Sequence, residues 1–176
     1  MNMRRICTGV MIIVLMLTLG VSAAAQWTNS VSEDPMTGAK SYYAHSPATA
    51  SVEKMSFPYH DTTAMLNVGC DGKSEWAYIA FSNAPNIVNT TIKNGYNLIQ
   101  TRIRWNDKVE SVTLSQDWGS EFLHFSDGKS AISRIAGSDT MPLELNWFGE
   151  GMVYFKFSLA GSSAAISKMR GLSGAK

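Results

Sequence analysis

Cysteine is nearly absent from this chain: Cys7 and Cys70 are the only two in 176 residues. That scarcity excludes a disulfide framework. Histidine is as rare, with His45, His60 and His124 alone. None stands at a metal-ligand spacing such as His-x-x-x-His, and Cys70 has no nearby partner, so no metal and no cofactor is expected. No apolar run reaches the ~20 residues that a membrane-spanning helix needs. An excess of one charge is missing too, since 15 basic residues face 14 acidic ones. Without a basic stripe, nucleic acid is not an expected partner. Arg102 and Arg104 alternate along one face of a predicted strand and read as a solvated face rather than a phosphate site. There is no internal repeat, low-complexity segment or long linker.

What is present begins with residues 1–25. Arg4 and Arg5 precede an apolar run from Gly9 to Gly20, and Val21-Ser22-Ala23-Ala24-Ala25 supplies small residues for a peptidase. This is the layout of a secretory signal peptide, with cleavage expected after Ala25. Cys7 precedes the apolar run, so it is no lipobox cysteine and no membrane anchor is expected after cleavage. The expected location is the periplasm or beyond. Removing the leader, with its two arginines and no acidic residue, leaves 13 basic against 14 acidic side chains. The remaining residues, 26–176, are the size of one domain.

Short alternating runs dominate those residues. Ala39–His45, Ala64–Cys70, Glu75–Ser82, Leu98–Trp105, Val109–Leu114, Trp118–Phe125, Leu143–Phe148 and Met152–Leu159 read as strands, with Ile87–Ile92 as a shorter candidate. Turn residues fall between them, as at Asp34–Gly38 and Asn106-Asp107. Asp127–Gly137 reads as a helix capped by Asp127 and ended by Gly137, and Ser162–Gly171 as a second. Gln26–Pro58 is otherwise polar and irregular. The pattern predicts a mainly β fold, an antiparallel sandwich or barrel-like domain with two short helices.

Several clusters invite a chemical reading. Gly69-Cys70-Asp71-Gly72-Lys73-Ser74 has two residues, not four, between its first glycine and Gly-Lys-Ser, so it reads as a hairpin turn rather than a phosphate loop. Cys70, a free thiol, shares a strand face with Leu66 and Val68 and is expected to be buried. In Pro58-Tyr59-His60-Asp61, an extended backbone would point His60 and Asp61 to opposite sides. Ser115, Ser120 and Ser126 could meet His124 and Asp117 in space, yet no Gly-x-Ser-x-Gly elbow marks a nucleophile, and no catalytic residue is assigned. Aromatics offer the better signal. Trp105 and Trp147 are expected in the core. Trp76, Tyr78 and Tyr154 lie opposite the apolar faces of their strands and are the candidate contact surface, or a second buried face if a helix covers them.

Trp27, Asp34-Pro35-Met36-Thr37, Leu66-Asn67-Val68-Gly69-Cys70, Thr101-Arg102-Ile103-Arg104-Trp105, Gln116-Asp117-Trp118, Phe155-Lys156-Phe157-Ser158-Leu159-Ala160-Gly161 and Ala164-Ala165-Ile166 occur in that order. This series resembles the TagO/VasI-like group of small exported proteins associated with type VI secretion systems. The resemblance implies a β-sandwich-like, non-enzymatic envelope accessory domain with an envelope protein as partner. Members of the group often carry further cysteines near the start and at the end. Here Tyr42 and Tyr43, and the tail Gly171–Lys176, have none. The alternatives are a periplasmic ligand-binding or inhibitor module that uses Trp76 and Tyr78, and a hydrolase of envelope polymers.

Overall fold

A computed structural model describes residues 26–174; the leader read at 1–25 lies outside the described residues. Eleven strands follow one another as β1 (Thr28–Glu33), β2 (Lys40–His45), β3 (Thr49–Ala50), β4 (Thr63–Cys70), β5 (Glu75–Phe81), β6 (Thr91–Lys93), β7 (Tyr96–Trp105), β8 (Lys108–Gln116), β9 (Phe122–Phe125), β10 (Thr140–Trp147) and β11 (Gly151–Ser158). Helix α1 (Gly128–Gly137) lies between β9 and β10, and α2 (Ser162–Ser173) follows β11.

All pairings between these strands are antiparallel. The order is β1-β2-β4-β5-β9-β8-β7-β10-β11, with β3 on β4 and β6 on β7. β2 and β3 share one edge of β4, separated by Ser46-Pro47-Ala48. Pro47 has no N–H to give a ladder, and the edge divides there. β2 carries β1, whereas the stretch after β3 reaches β11. Ser51 bridges Phe155, and the Val52 amide donates to the Tyr154 carbonyl at 2.7 Å. The sheet therefore curls until β11 comes beside β3 and the stretch after it while β1 stays an open edge, the β-sandwich-like domain that the alternation predicts.

Alternation explains the core. Leu66, Val68 and Cys70 on β4, Ala77, Ile79 and Phe81 on β5, Ile103 and Trp105 on β7, Leu143, Leu145 and Trp147 on β10, and Val153, Phe155 and Phe157 on β11 all point inward and are buried. Both helices press apolar stripes on this interior, α1 with Ala131, Ile132 and Ile135 and α2 with Ala165, Ile166 and Met169. The Ser162 hydroxyl donates to the Ile135 carbonyl at 2.7 Å and ties one helix to the other. Asp127 caps α1 by accepting the Ser130 amide at 3.0 Å, a contact worth ~1 kcal/mol.

The structure departs from the periodicity in identifiable places. β1 escapes the sequence reading because it is an outer strand with every residue but Asn29 exposed, so it shows no apolar alternation. Ile87–Ile92 is not a strand; Ile87 makes a single bridge to Trp147, and β6 begins only at Thr91. Gly171 does not end α2. The helix continues to Ser173 and stops at Gly174, whose left-handed φ of 70° suits glycine. Asp71–Ser74 is the expected turn, with Asp71 Oδ1 accepting the Lys73 and Ser74 amides.

Candidate functional site

The sequence candidates separate into two zones of the outer surface. Trp76 and Tyr78 lie together on the outer face of β2, β4, β5 and β9. Register places Tyr43, Gly69 and Trp76 in one row across the strands, and His45, Asn67, Tyr78 and His124 in the next. Tyr43 stacks on His45 with ring centroids 5.8 Å apart and meets Trp76 edge-on at 6.2 Å. Tyr78 stacks on His124 at 5.4 Å and meets Phe122 edge-on at 5.7 Å. Both helices bury their apolar stripes on the opposite, core face of the sheet, so the covered-face alternative for Trp76 and Tyr78 does not apply. All six rings remain at least partly open to solvent.

Gly69 is what lets Trp76 lie down. A Cβ at this position would come within 2.4 Å of the indole, so the ring covers bare backbone. Burial pushes the Tyr78 phenol above its ordinary range, with Tyr43 adding to the shift. Burial also lowers His124, against a weaker opposite pull from Asp117. Both groups are therefore neutral near pH 7, which suits an uncharged aromatic strip.

At the β1 margin of this strip a polar chain takes over. The His45 Nε2–Ser30 Oγ and His45 Nδ1–Asn67 Oδ1 distances are both 2.6 Å. Asn67 Nδ2 donates to the Met65 carbonyl at 2.9 Å, which leaves Oδ1 to accept. The network thus assigns the proton to His45 Nδ1 and leaves Nε2 to accept the Ser30 hydroxyl. Ser30 is exposed, His45 partly buried and Asn67 buried. Sequence reasoning missed this chain because β1 was not legible as a strand. The one available signal is Asn67 itself, a polar residue between Leu66 and Val68 that needs partners once buried.

Tyr154 does not join Trp76 and Tyr78. It lies on the outer face of β7, β10 and β11, where its hydroxyl donates to Glu144 Oε2 at 3.1 Å. Arg102 grips the same carboxylate in a fork, through Nε at 2.8 Å and a terminal nitrogen at 2.6 Å. The Arg102 hydrogen bond holds Glu144 below the usual carboxylate range. Arg102, read from sequence as merely solvated, is thus half of an ion pair whose other half is buried. A shallow depression of about 470 Å³ is lined there by Val52, Arg104, Val109, Pro142, Tyr154 and Lys156, among others.

The remaining chemical candidates resolve plainly. Cys70 is a buried free thiol; its sulfur accepts the Gly72 amide at 3.3 Å and lies 3.4 Å from the Ser173 hydroxyl. His60 Nε2 lies 2.7 Å from Asp61 Oδ2, contrary to the opposite-sides expectation, because Phe57–Asp61 is a succession of turns and not extended chain. Ser115 stands opposite His124 in the β8–β9 register, but neither Ser115, Ser120 nor Ser126 has a hydrogen bond to His124 among the described residues. No group of three or more His, Cys, Asp or Glu able to hold a metal occurs among the described residues, and no helix among them is long and apolar enough to cross a membrane.

No family model matches the chain, and no curated protein matches it. Among solved structures, the fold is similar to the crystal structure of invasion associated protein B from Bartonella henselae, with a TM-score of 0.47 and 9% identity, covering 84% of this chain and 94% of that one.

Proposed function

We propose that this chain is exported to the cell envelope and acts there as an interaction module, with the Tyr43–Trp76–Tyr78–His124 strip as its contact surface. The observation that carries the reading is the strip's construction: six rings on β2, β5 and β9, with β4 between β2 and β5, held in two triads by stacked and edge-on contacts. Large rings with few rotatable bonds give much contact area for little lost entropy. The raised Tyr78 phenol and lowered His124 imidazole keep those two rings uncharged near neutral pH, which keeps their desolvation cost on docking low. The signal-peptide layout supports export, and the TagO/VasI-like resemblance makes subunits of a type VI secretion apparatus the first partners to test.

The test is affinity capture of the tagged, exported protein from cross-linked cells of its native host, beside a Trp76→Ala/Tyr78→Ala variant, read by mass spectrometry. Recovery of apparatus subunits by the native protein and not by the variant is expected. Recovery of the same subunits by both overturns the assignment of the strip. Recovery of only cell-wall fragments replaces the protein partner with a ligand.

A further inference from the structure

Ser30, His45 and Asn67 stand in the order hydroxyl, imidazole, amide, joined by two contacts of 2.6 Å. We propose that this relay makes Ser30 a nucleophile for acyl transfer, and that the protein hydrolyses carboxylic esters carrying a flat apolar ring. Three observations support the assignment. The proton on His45 Nδ1 is committed to Asn67, so Nε2 presents its lone pair to the hydroxyl, the tautomer a general base needs. Asn67 is 2% exposed and is pinned from its other end by the Met65 carbonyl, so it orients the imidazole rigidly. Ser30 itself is exposed, so an incoming carbonyl carbon has access to it. Among the described residues, no other serine, threonine or cysteine forms such a chain with a histidine.

The chemistry closes without a further reactant than water. Ser30 Oγ bonds to the ester carbonyl carbon as its proton passes to His45 Nε2. The tetrahedral adduct collapses, the bond to the alcohol oxygen breaks, and that oxygen takes the proton from Nε2. Water then adds to the acyl carbon, giving a proton to Nε2. The Ser30 ester bond breaks, and Oγ recovers its proton as the carboxylic acid leaves. The choice of a ring-bearing ester rests on the strip proposed above as the contact surface, since Tyr43 stacks on His45 and touches Trp76. The nucleophile itself does not depend on that reading.

The experiment uses the mature protein with two probes: a fluorescent fluorophosphonate for covalent labelling and 2-naphthyl acetate for turnover. Labelling is expected at Ser30 by peptide mapping, absent in Ser30→Ala. His45→Ala is expected to lose about 100-fold or more in kcat/KM, with circular dichroism showing the variants folded. Asn67→Asp tests positioning: it is expected to keep activity and move the midpoint of the pH–rate profile upward, because a carboxylate favours the imidazolium. Absence of labelling, labelling that persists in Ser30→Ala, or turnover indifferent to His45→Ala overturns the proposal. Trp76→Ala is expected to raise KM with Ser30 labelling intact. An unchanged KM removes the strip from the proposal and leaves the relay. Loss of the relay with partner capture intact leaves the strip.

Discussion

Gly69→Ala probes the strip with one methyl group. Gly69 has ordinary extended backbone, with no positive φ, so alanine meets no conformational objection there. The objection comes from above, where a Cβ would lie 2.4 Å from Trp76 Cε2 and Nε1 and 2.7 Å from Cζ2. Ordinary carbon contacts are ~3.5–4.0 Å, so the indole must retreat by about 1 Å and give up its seat on the backbone and its edge contact with Tyr43. Overpacking of this kind costs roughly 1–3 kcal/mol, offset by the ~0.5–1 kcal/mol that alanine gains over glycine in a strand. The expected net loss is about 0–2.5 kcal/mol, which for a domain of this size lowers Tm by up to about 10 °C. Chemical denaturation with tryptophan emission measures it, and the emission should also shift to the red as the ring is lifted into water. The decisive control is the same substitution in a Trp76→Ala background, where the clash has gone and Gly69→Ala should become neutral or stabilising. Equal destabilisation in both backgrounds would refute the account of why glycine stands at position 69.

Three further outcomes are expected. Glu144→Gln removes a buried carboxylate that accepts hydrogen bonds from Arg102 and Tyr154, and should cost about 1.5–3 kcal/mol in urea unfolding; a loss below 0.5 kcal/mol would place the pair with ordinary surface contacts. Native stability should fall with acid in two windows, because both groups have depressed pKa values in the fold. The His124 contribution is complete above the ordinary histidine value of about 6.5 and is lost as pH drops through its lower folded value; Glu144 does the same below the ordinary carboxylate range. His124→Gln should flatten the first window and Glu144→Gln should reduce the second, which Glu75 and other depressed carboxylates share, in denaturation series run from pH 7.5 to 3, and a native profile flat over that span would contradict both. Cys70 is 1% exposed, so a thiol reagent should modify it only at the rate at which the protein opens, and prompt labelling of the native protein would exclude that burial.

Legibility of the fold followed burial on one face. Where a strand has its inner face in the core and its outer face toward solvent, as in β5, β7 and β11, period-2 alternation is clean and the sequence places the element within a residue or two. Where the sheet is exposed on both faces the signal vanishes. β1 is held by pairing with β2 and by Asn29, whose amide donates to the Tyr43 and Ala165 carbonyls. Such bonds leave no apolar trace. The helix end at Gly174 rather than Gly171 has a similar origin: glycine terminates a helix only where the backbone turns left-handed, and position 171 does not.

The candidate site shows the limit of alternation more sharply. Alternation assigned Trp76, Tyr78 and Tyr154 to outer faces, and each does lie on one, yet it could not say which outer faces adjoin. That depends on strand order, and the order here sets β5 beside β9 and β4 while β11 lies between β10 and the stretch after β3. The same surface pattern therefore serves two chemistries. On β2, β5 and β9 the outward residues include rings that pack on one another across the small and amide residues of β4. On β7, β10 and β11 they are Arg102, Glu144 and Tyr154, bound by charge-assisted hydrogen bonds. The Ser30–His45–Asn67 chain lies at the edge of the first zone because an otherwise unreadable strand is added there by backbone pairing. Its three members come from three strands and 38 positions of sequence, so local spacing could never have joined them. What joins them is register, with Ser30 opposite Tyr43 and His45 opposite Asn67. A one-residue slip of β1 would turn Ser30 to the other face of the sheet, so the pairing of β1 with β2 is as necessary to the proposed nucleophile as the histidine itself.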